Sequence, residues 1–148
     1  MKETDLHFFI DSLVNYFEEV TGEKPTTGIP YLKDDDPVVQ EYAGIIGISG
    51  KRKGSVYITA TGEMLKALAK IIIDMDDVSG DDIKDLIGEI ANTIAGNVRQ
   101  AYGSEFMISV PVVIEGKAKD IKLPADIQTF VIPISWREFN SFLVVCLE

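Results

Sequence analysis

Leu6, Phe9, Ile10, Leu13, Phe17 and Val20 recur three and four residues apart, which places them on one side of a helix over residues 4–20. Gly22 and then Pro25 end it. Residues 28–33 follow as a short extended segment, and an exposed acidic loop at Asp34, Asp35 and Asp36 runs into Pro37. The pattern then changes to two β-rich runs, 42–49 and 55–59, around a basic turn flanked by Gly50 and Gly54, which predicts a hairpin. Thr61 caps the next helix, whose apolar face is Met64, Leu65, Leu68, Ala69 and Ile72. A short acidic link, 74–77, leads on from it.

Helical spacing returns over residues 79–103 and is the most informative in the chain. Ser79 with Asp82 three residues later has the form of a capping box, and Gly103 stands where a left-handed C-terminal residue is wanted. At about 100° per residue, Ile83, Leu86, Ile87, Ile90, Ile94, Val98 and Ala101 fall on the side to be buried. Asp85, Glu89, Asn92, Gly96 and Arg99 fall on the other. Glu89 and Asn92 are one turn apart, so one partner can touch both. Gly96 costs roughly 1 kcal/mol of helix propensity relative to Ala, which close approach of another backbone would offset. A solvated polar face is the ordinary account of an acidic residue in such a stripe, but it explains an exposed Asn and Gly in mid-helix less well.

Beyond Gly103, residues 106–114 read as extended with an interruption at Pro111, 115–124 as a polar loop, and 127–135 with 140–147 as a second hairpin. The two hairpins repeat one pattern. Ile45, Ile46, Gly47, Ile48 and Ser49 match Val131, Ile132, Pro133, Ile134 and Ser135, and Ser55, Val56, Tyr57 and Ile58 match Ser141, Phe142, Leu143 and Val144. Each hairpin follows a proline-bearing extended segment, at Pro30 and Pro111, and each of those follows an amphipathic helix. The expected fold is a single α/β domain over residues 1–148 in α+β layers. Two helix-strand-hairpin repeats make one sheet, and both long helices pack on one face. Aligning Leu13 with Ile90 sets Ser12 and Asn15 against Glu89 and Asn92, so the first copy keeps the amide and lacks the acid.

Composition narrows the function. A chain of 148 residues with 46% hydrophobic content can bury a proper core, and its net charge of −10 repels nucleic-acid backbones and anionic membrane surfaces. A partner with basic groups at its contact surface fits better. Cys146 is the single cysteine, which excludes an intramolecular disulfide and a multi-thiolate zinc site. His7 is the single histidine and has no nucleophile motif to serve, which argues against a triad or a zinc hydrolase. The aspartates at 34–36 lack the alternating pattern of a calcium loop, and no bound metal is expected. With a charged N-terminal stretch and no apolar run near the roughly 20 residues of a membrane span, the expected compartment is the cytoplasm.

Asp85, Glu89 and Asn92, with Pro111 after Ile108, Ser109 and Val110, have the spacing of a known signature: Asp or Ser, three residues, Glu, two residues, Asn, and a later Pro. The surrounding Glu89-Ile-Ala-Asn92-Thr-Ile-Ala-Gly96-Asn97, residues 32–36 and 45–56, and the C-terminal Cys146-Leu147-Glu148 extend the likeness over essentially the whole chain. The sequence resembles the CheX and CheC group of chemotaxis phosphatases. The resemblance implies a CheC-like fold and hydrolysis of the aspartyl phosphate on a CheY-type response regulator. In that reading Asn92 positions the attacking water, Glu89 pairs with a lysine of the receiver, and Asp85, Gly96 and Arg99 belong to the contact surface. The phosphatase needs no cofactor of its own, since the receiver carries the Mg2+. One signature rather than two, and a span from Asn92 to Pro111 shorter than in the CheC form, point to the CheX branch and with it a homodimer. Two rivals are a related module that docks a phosphorylated receiver without hydrolysing it, and a dimeric scaffold with no receiver partner.

Overall fold

In the computed structural model, which describes residues 1–74, 76–116 and 120–148, the elements run in the order the spacing predicts. Helix α1 (Glu3–Thr21) leads to two short strands, β1 (Thr26–Thr27) and β2 (Tyr31–Leu32). The hairpin β3 (Tyr42–Gly50) and β4 (Gly54–Ala60), helix α2 (Gly62–Ile72) and the long helix α3 (Gly80–Tyr102) come next. Strands β5 (Phe106–Ile108) and β6 (Val112–Glu115) precede the hairpin β7 (Thr129–Trp136) and β8 (Phe139–Leu147). The link expected at 74–77 and the loop expected at 115–124 include residues 75 and 117–119, which lie outside the described residues.

The helix ends follow from local chemistry. Gly22 takes the left-handed conformation that stops α1 (φ 74°) and donates its N–H to the Glu18 carbonyl at 2.9 Å. Thr61 accepts from the Met64 N–H at the start of α2. Ser79 and Asp82 form the expected reciprocal pair, at 3.2 and 3.0 Å. Gly103 differs from expectation: its φ is positive (98°) but its ψ is −177°, so the chain leaves α3 directly into an extended run toward β5 rather than through a left-handed helical residue. Ala101, expected in the buried face, is exposed, because the last turn is covered by Tyr102 stacked on Phe106 with centroids 4.8 Å apart. The extended segment expected at 28–33 resolves into β1 and β2 on either side of residues 28–30.

One antiparallel sheet contains all the strands, in the order β1-β7-β8-β4-β3-β5, with β2 also on β7 and β6 also on β3. The repeat explains this order. Each half contributes a hairpin, and each half's broken strand pairs with the other half's hairpin. The register repeats as well: Thr27 faces Ile134 and Tyr31 faces Val131, as Ile108 faces Ile48 and Val112 faces Ile45. At each break one N–H reaches across, Gly28 to the Pro133 carbonyl and Ser109 to the Gly47 carbonyl, both at 2.9 Å. Pro133 is tolerated inside β7 because the side where it lacks an N–H faces the gap between β1 and β2.

Alternation along the strands divides the sheet into two faces. Ile46, Ile48, Val56, Ile58, Ile132, Ile134, Leu143 and Val145 join Leu6, Phe9, Leu13 and Phe17 of α1, Met64, Leu65 and Leu68 of α2, and the apolar side of α3 in the main core. Both long helices therefore pack on one face. Ala43, Tyr57, Val131 and Val144 form a smaller cluster on the other, beneath Ile121. Gly44 sets the closeness of α3 to β3, since a Cβ there would stand 2.6 Å from the Ile87 carbonyl oxygen. At the N-terminus of α1, Asp5 is buried and receives both terminal nitrogens of Arg52 at 3.2 Å, the Tyr102 hydroxyl and the Lys2 N–H. Burial pushes its carboxyl up, but these donors outweigh burial and hold it at about 2.

Candidate functional site: one exposed stripe on α3

Helix α3 is gripped on two flanks, which leaves a narrow strip open. Ile83, Leu86, Ile87, Ile90, Ile94 and Val98 are buried as predicted, and Gly88, Ala91 and Ala95 join them. On one flank α1 lies antiparallel to α3. Phe8 meets Tyr102 edge to face with centroids 5.2 Å apart, and further along α1 the Ser12 hydroxyl donates to the Ile94 carbonyl at 3.0 Å. One turn later Tyr16 is buried beside Glu89. Its phenol is pushed up to about 12, first by burial and then by the charge of Glu89.

The other flank rests on β5 and β6, which also run antiparallel to it. The Lys84 ammonium meets Glu115 at 2.9 Å near the start of α3, and Arg99 Nε donates to the Phe106 carbonyl at 3.0 Å near its end. Between them a Cβ on Gly88 would stand 3.1 Å from Val113 and 3.7 Å from Pro111, tight enough that a larger residue would press on the Val113 side chain.

The stripe that remains contains Asp85, Glu89, Asn92 and Arg99, all exposed, with Gly96 half-buried among them. Glu89 stands beside Tyr16 of α1, and Asn92 is exposed one turn further on. Open space surrounds Gly96, with no heavy atom within 4 Å of where a Cβ would stand, so the approach it allows is from outside the chain. Arg99 is shared between the stripe and the C-terminal turn it helps to close. At the position aligned with Glu89, Ser12 is buried against α3, while Asn15, aligned with Asn92, is exposed. Tyr16 lies outside the apolar set that the sequence of α1 displays, and no local signal sets it beside Glu89. The bend at 109–111 was marked only by its proline.

An amide can accept and donate hydrogen bonds without bringing charge, and a carboxylate attracts an ammonium group. Set one turn apart on an exposed helix surface, the pair suits a protein partner better than a small molecule, which wants a concavity. A cleft of about 620 Å³ does exist between residues 32–35 and 120–129, but it opens beside Ile121 on the far side of the sheet. Among the described residues no three His, Cys, Asp or Glu side chains are grouped to hold a metal ion, and no helix is long and apolar enough to cross a membrane.

Known proteins are similar to this chain in sequence and in fold. CheY-P phosphatase CheX of Thermotoga maritima is 27% identical over 131 residues, covering 85% of this chain and 83% of the relative. A solved chemotaxis protein CheX from Desulfovibrio desulfuricans superposes with a TM-score of 0.88 at 27% identity, over 98% of this chain and 99% of that one. CheX of Borrelia burgdorferi, solved in complex with CheY, BeF3 and Mg2+, has the same fold, with a TM-score of 0.76 at 20% identity over 97% of each chain. The family described as Chemotaxis phosphatase CheX matches residues 42–135, a span that holds the β3–β4 hairpin, all of α3 and the β5–β6 edge. By that match the chain belongs to the CheX family of chemotaxis phosphatases.

Proposed function

We propose that this chain hydrolyses the aspartyl phosphate of a CheY-type response regulator, with Asn92 positioning the water and Glu89 docking a receiver lysine. The carrying observation is that Glu89 and Asn92 lie one turn apart on the strip of α3 left open between α1 and the β5–β6 edge. An aspartyl phosphate is already activated, and its receiver supplies the Mg2+ and a lysine, so what the phosphatase adds is orientation. Asn92 accepts a hydrogen bond from the water through its side-chain oxygen. The water oxygen bonds to phosphorus in line with the departing carboxylate, the phosphorus–carboxylate bond breaks, and phosphate and free aspartate result. An amide does this without setting a negative charge against the phosphoryl oxygens. Glu89 acts in recognition, Asp85 and Arg99 border the contact, and Gly96 lets the receiver close in.

The CheY, BeF3 and Mg2+ bound to the Borrelia relative support a receiver as partner and Mg2+ as the receiver's ion. The same reading gives the chain a cytoplasmic life beside its receiver and a second copy of itself as partner. Exposed Ile29, Tyr31 and Leu32 on the β1–β2 edge support that pairing. The decisive experiment is phosphate release from a panel of phosphorylated receivers of the same organism. Acceleration of at least one is expected; binding without acceleration would favour the docking module, and neither would defeat both.

A further inference from the structure

The seam between α1 and α3 brings a buried tyrosine to the acid that the proposed function assigns to recognition. The two helices run antiparallel, so each later turn of α1 meets an earlier turn of α3: Phe8 against Tyr102, the Ser12 hydroxyl on the Ile94 carbonyl, and then Tyr16 beside Glu89. Tyr16 is 5% exposed and its ring sits edge-on to the fully buried Phe17, with centroids 6.1 Å apart, so the core fixes its direction. A ring in that place needs no hydroxyl for its packing, and a phenylalanine would fill it equally.

Among the described residues that hydroxyl has no hydrogen-bond partner, yet it is not one of the polar atoms sealed from solvent without one, which are Gln40 Oε1 and Trp136 Nε1. It therefore reaches solvent at the seam, in range of the Glu89 charge. That charge adds to burial in keeping the phenol protonated, so toward a carboxylate it acts as a donor. Glu89 is exposed and among the described residues forms no ion pair, whereas Lys84 takes Asp81 at 3.7 Å and Glu115 at 2.9 Å. A free glutamate side chain samples many rotamers, and fixing it against a partner costs affinity. A donor beside it that selects one rotamer removes part of that cost.

The repeat provides an internal comparison. Aligning Leu13 with Ile90 sets Tyr16 against Thr93 and Glu89 against Ser12, so the counterpart of the Tyr16–Glu89 pair is Thr93 with Ser12. Both of those side chains are short. Ser12 is buried with its hydroxyl turned back on the Ile94 carbonyl, and Thr93 is half-buried. A phenol stands beside a carboxylate only where the seam meets the copy that carries Glu89 and Asn92.

We propose that Tyr16 is a positioning residue for Glu89: its hydroxyl donates to one carboxylate oxygen of Glu89 and leaves the other oxygen to the lysine of the docking receiver. A carboxylate accepts at both oxygens, so the two donors do not compete. The exposed Glu89 side chain makes the movement, and the buried Tyr16 ring stays where the core holds it. This rests on the proposed function and deepens it, adding what orients the acid that recognises the receiver. Tyr16 acts through Glu89 and touches neither the attacking water nor the phosphoryl group.

The test is Tyr16→Phe, which keeps the ring and removes the hydroxyl alone, made in the wild-type chain and in Glu89→Ala, with Ser12→Ala as a control from the same seam. Dephosphorylation of a phosphorylated CheY-type receiver gives KM and kcat, titration with the beryllofluoride-activated receiver gives affinity, and urea unfolding gives stability. Tyr16→Phe should raise KM and weaken binding about fivefold, the scale of one hydrogen bond, with kcat and the urea midpoint unchanged. In the Glu89→Ala background it should have no effect, because the group it acts through is gone. Ser12→Ala should lower the urea midpoint and keep the wild-type KM. A Tyr16→Phe protein with wild-type KM overturns the inference. So does an equal loss in the Glu89→Ala background, which would make the hydroxyl a direct receiver contact, and so does a matching rise in KM for Ser12→Ala, which would trace the effect to packing of the seam. Wild-type protein that neither binds nor hydrolyses any receiver would instead defeat the function proposed above, and the inference with it.

Discussion

The Ser12 hydroxyl lies 3.0 Å from the Ile94 carbonyl oxygen, so α1 and α3 touch at the place where the repeat would otherwise have carried a second acid. An acid at position 12 would have to be buried against a helix backbone. The first copy therefore has a contact where the second has a site, and the two halves are unequal for a packing reason.

Asn92→Ala should lower receiver dephosphorylation at saturation by about 100-fold or more, the usual scale for losing one oriented polar group at a reacting centre. Circular dichroism and assembly should not change, since the side chain is exposed. Asn15→Ala, the matching exposed amide of α1, should be nearly silent. Wild-type turnover in Asn92→Ala, or a larger defect in Asn15→Ala, would contradict a single site.

Glu89→Ala should show a different kinetic pattern. Removing the carboxylate takes away a partner for a receiver lysine, so KM should rise about tenfold while part of kcat survives. Titration with an activated receiver checks this directly. An unchanged affinity with a collapsed kcat would move Glu89 from recognition into the chemistry.

Gly44→Ala should cost about 1–3 kcal/mol of stability, the range for overpacking a filled core. The added methyl would stand 2.6 Å from the Ile87 carbonyl oxygen and 3.1 Å from Ala91, and helix backbone does not yield as a side chain does. Urea unfolding measures the loss. Because α3 must lift to accommodate the methyl, turnover should fall as well, and a variant as stable and active as wild type would show that the helix is not seated this tightly.

The Asp5 carboxyl titrates near 2 in the fold against 3.8 in an open chain, so folding favours its charged form. The sign follows: its contribution of about 2 kcal/mol is complete above about pH 4 and is lost as the pH falls from 4 toward 2. Asp5→Asn should therefore be less stable than wild type at pH 7, and the gap should close in acid. Urea melts at steps from pH 7 to pH 2 read both quantities; parallel pH profiles for the two proteins would exclude the Asp5 cluster as the source.

Light scattering at micromolar concentration should report the mass of two chains. A single-chain mass across the concentration range would remove the second copy from the proposed assembly.

Much of this was legible in the sequence because its signals were local or repeated. The 100° stripe placed Glu89 and Asn92 outside, the Ser79 and Asp82 pair began α3, and the matched hairpins carried the sheet. What escaped depended on neighbours that periodicity does not describe. Ala101 follows the apolar stripe of α3, yet Tyr102 and Phe106 cover that end instead. Ser12 takes the place of an exposed acid in the alignment, yet the helix crossing buries it. Gly88 carries no periodic signal of its own, and its place against Pro111 and Val113 shows only in the fold. The family likeness carried the rest, and it did so through Asp85, Glu89, Asn92 and Pro111 together, three of which lie on the open strip of α3 while the fourth belongs to the bend between β5 and β6.

The exchange of broken strands between the halves has a consequence for how the chain reaches this state. The outer neighbours of β3 come from residues 106–115, and β1 and β2 wait for residues 129–136. Neither half can complete its own sheet, so a ribosome that has released only the first hundred residues presents β3 and β4 with unpaired edges. Closure must wait for contacts distant in sequence, which slows folding and lengthens the time those edges are open to other chains. The N-terminal half cut away from the rest is accordingly expected to aggregate during synthesis rather than to survive as a smaller phosphatase scaffold.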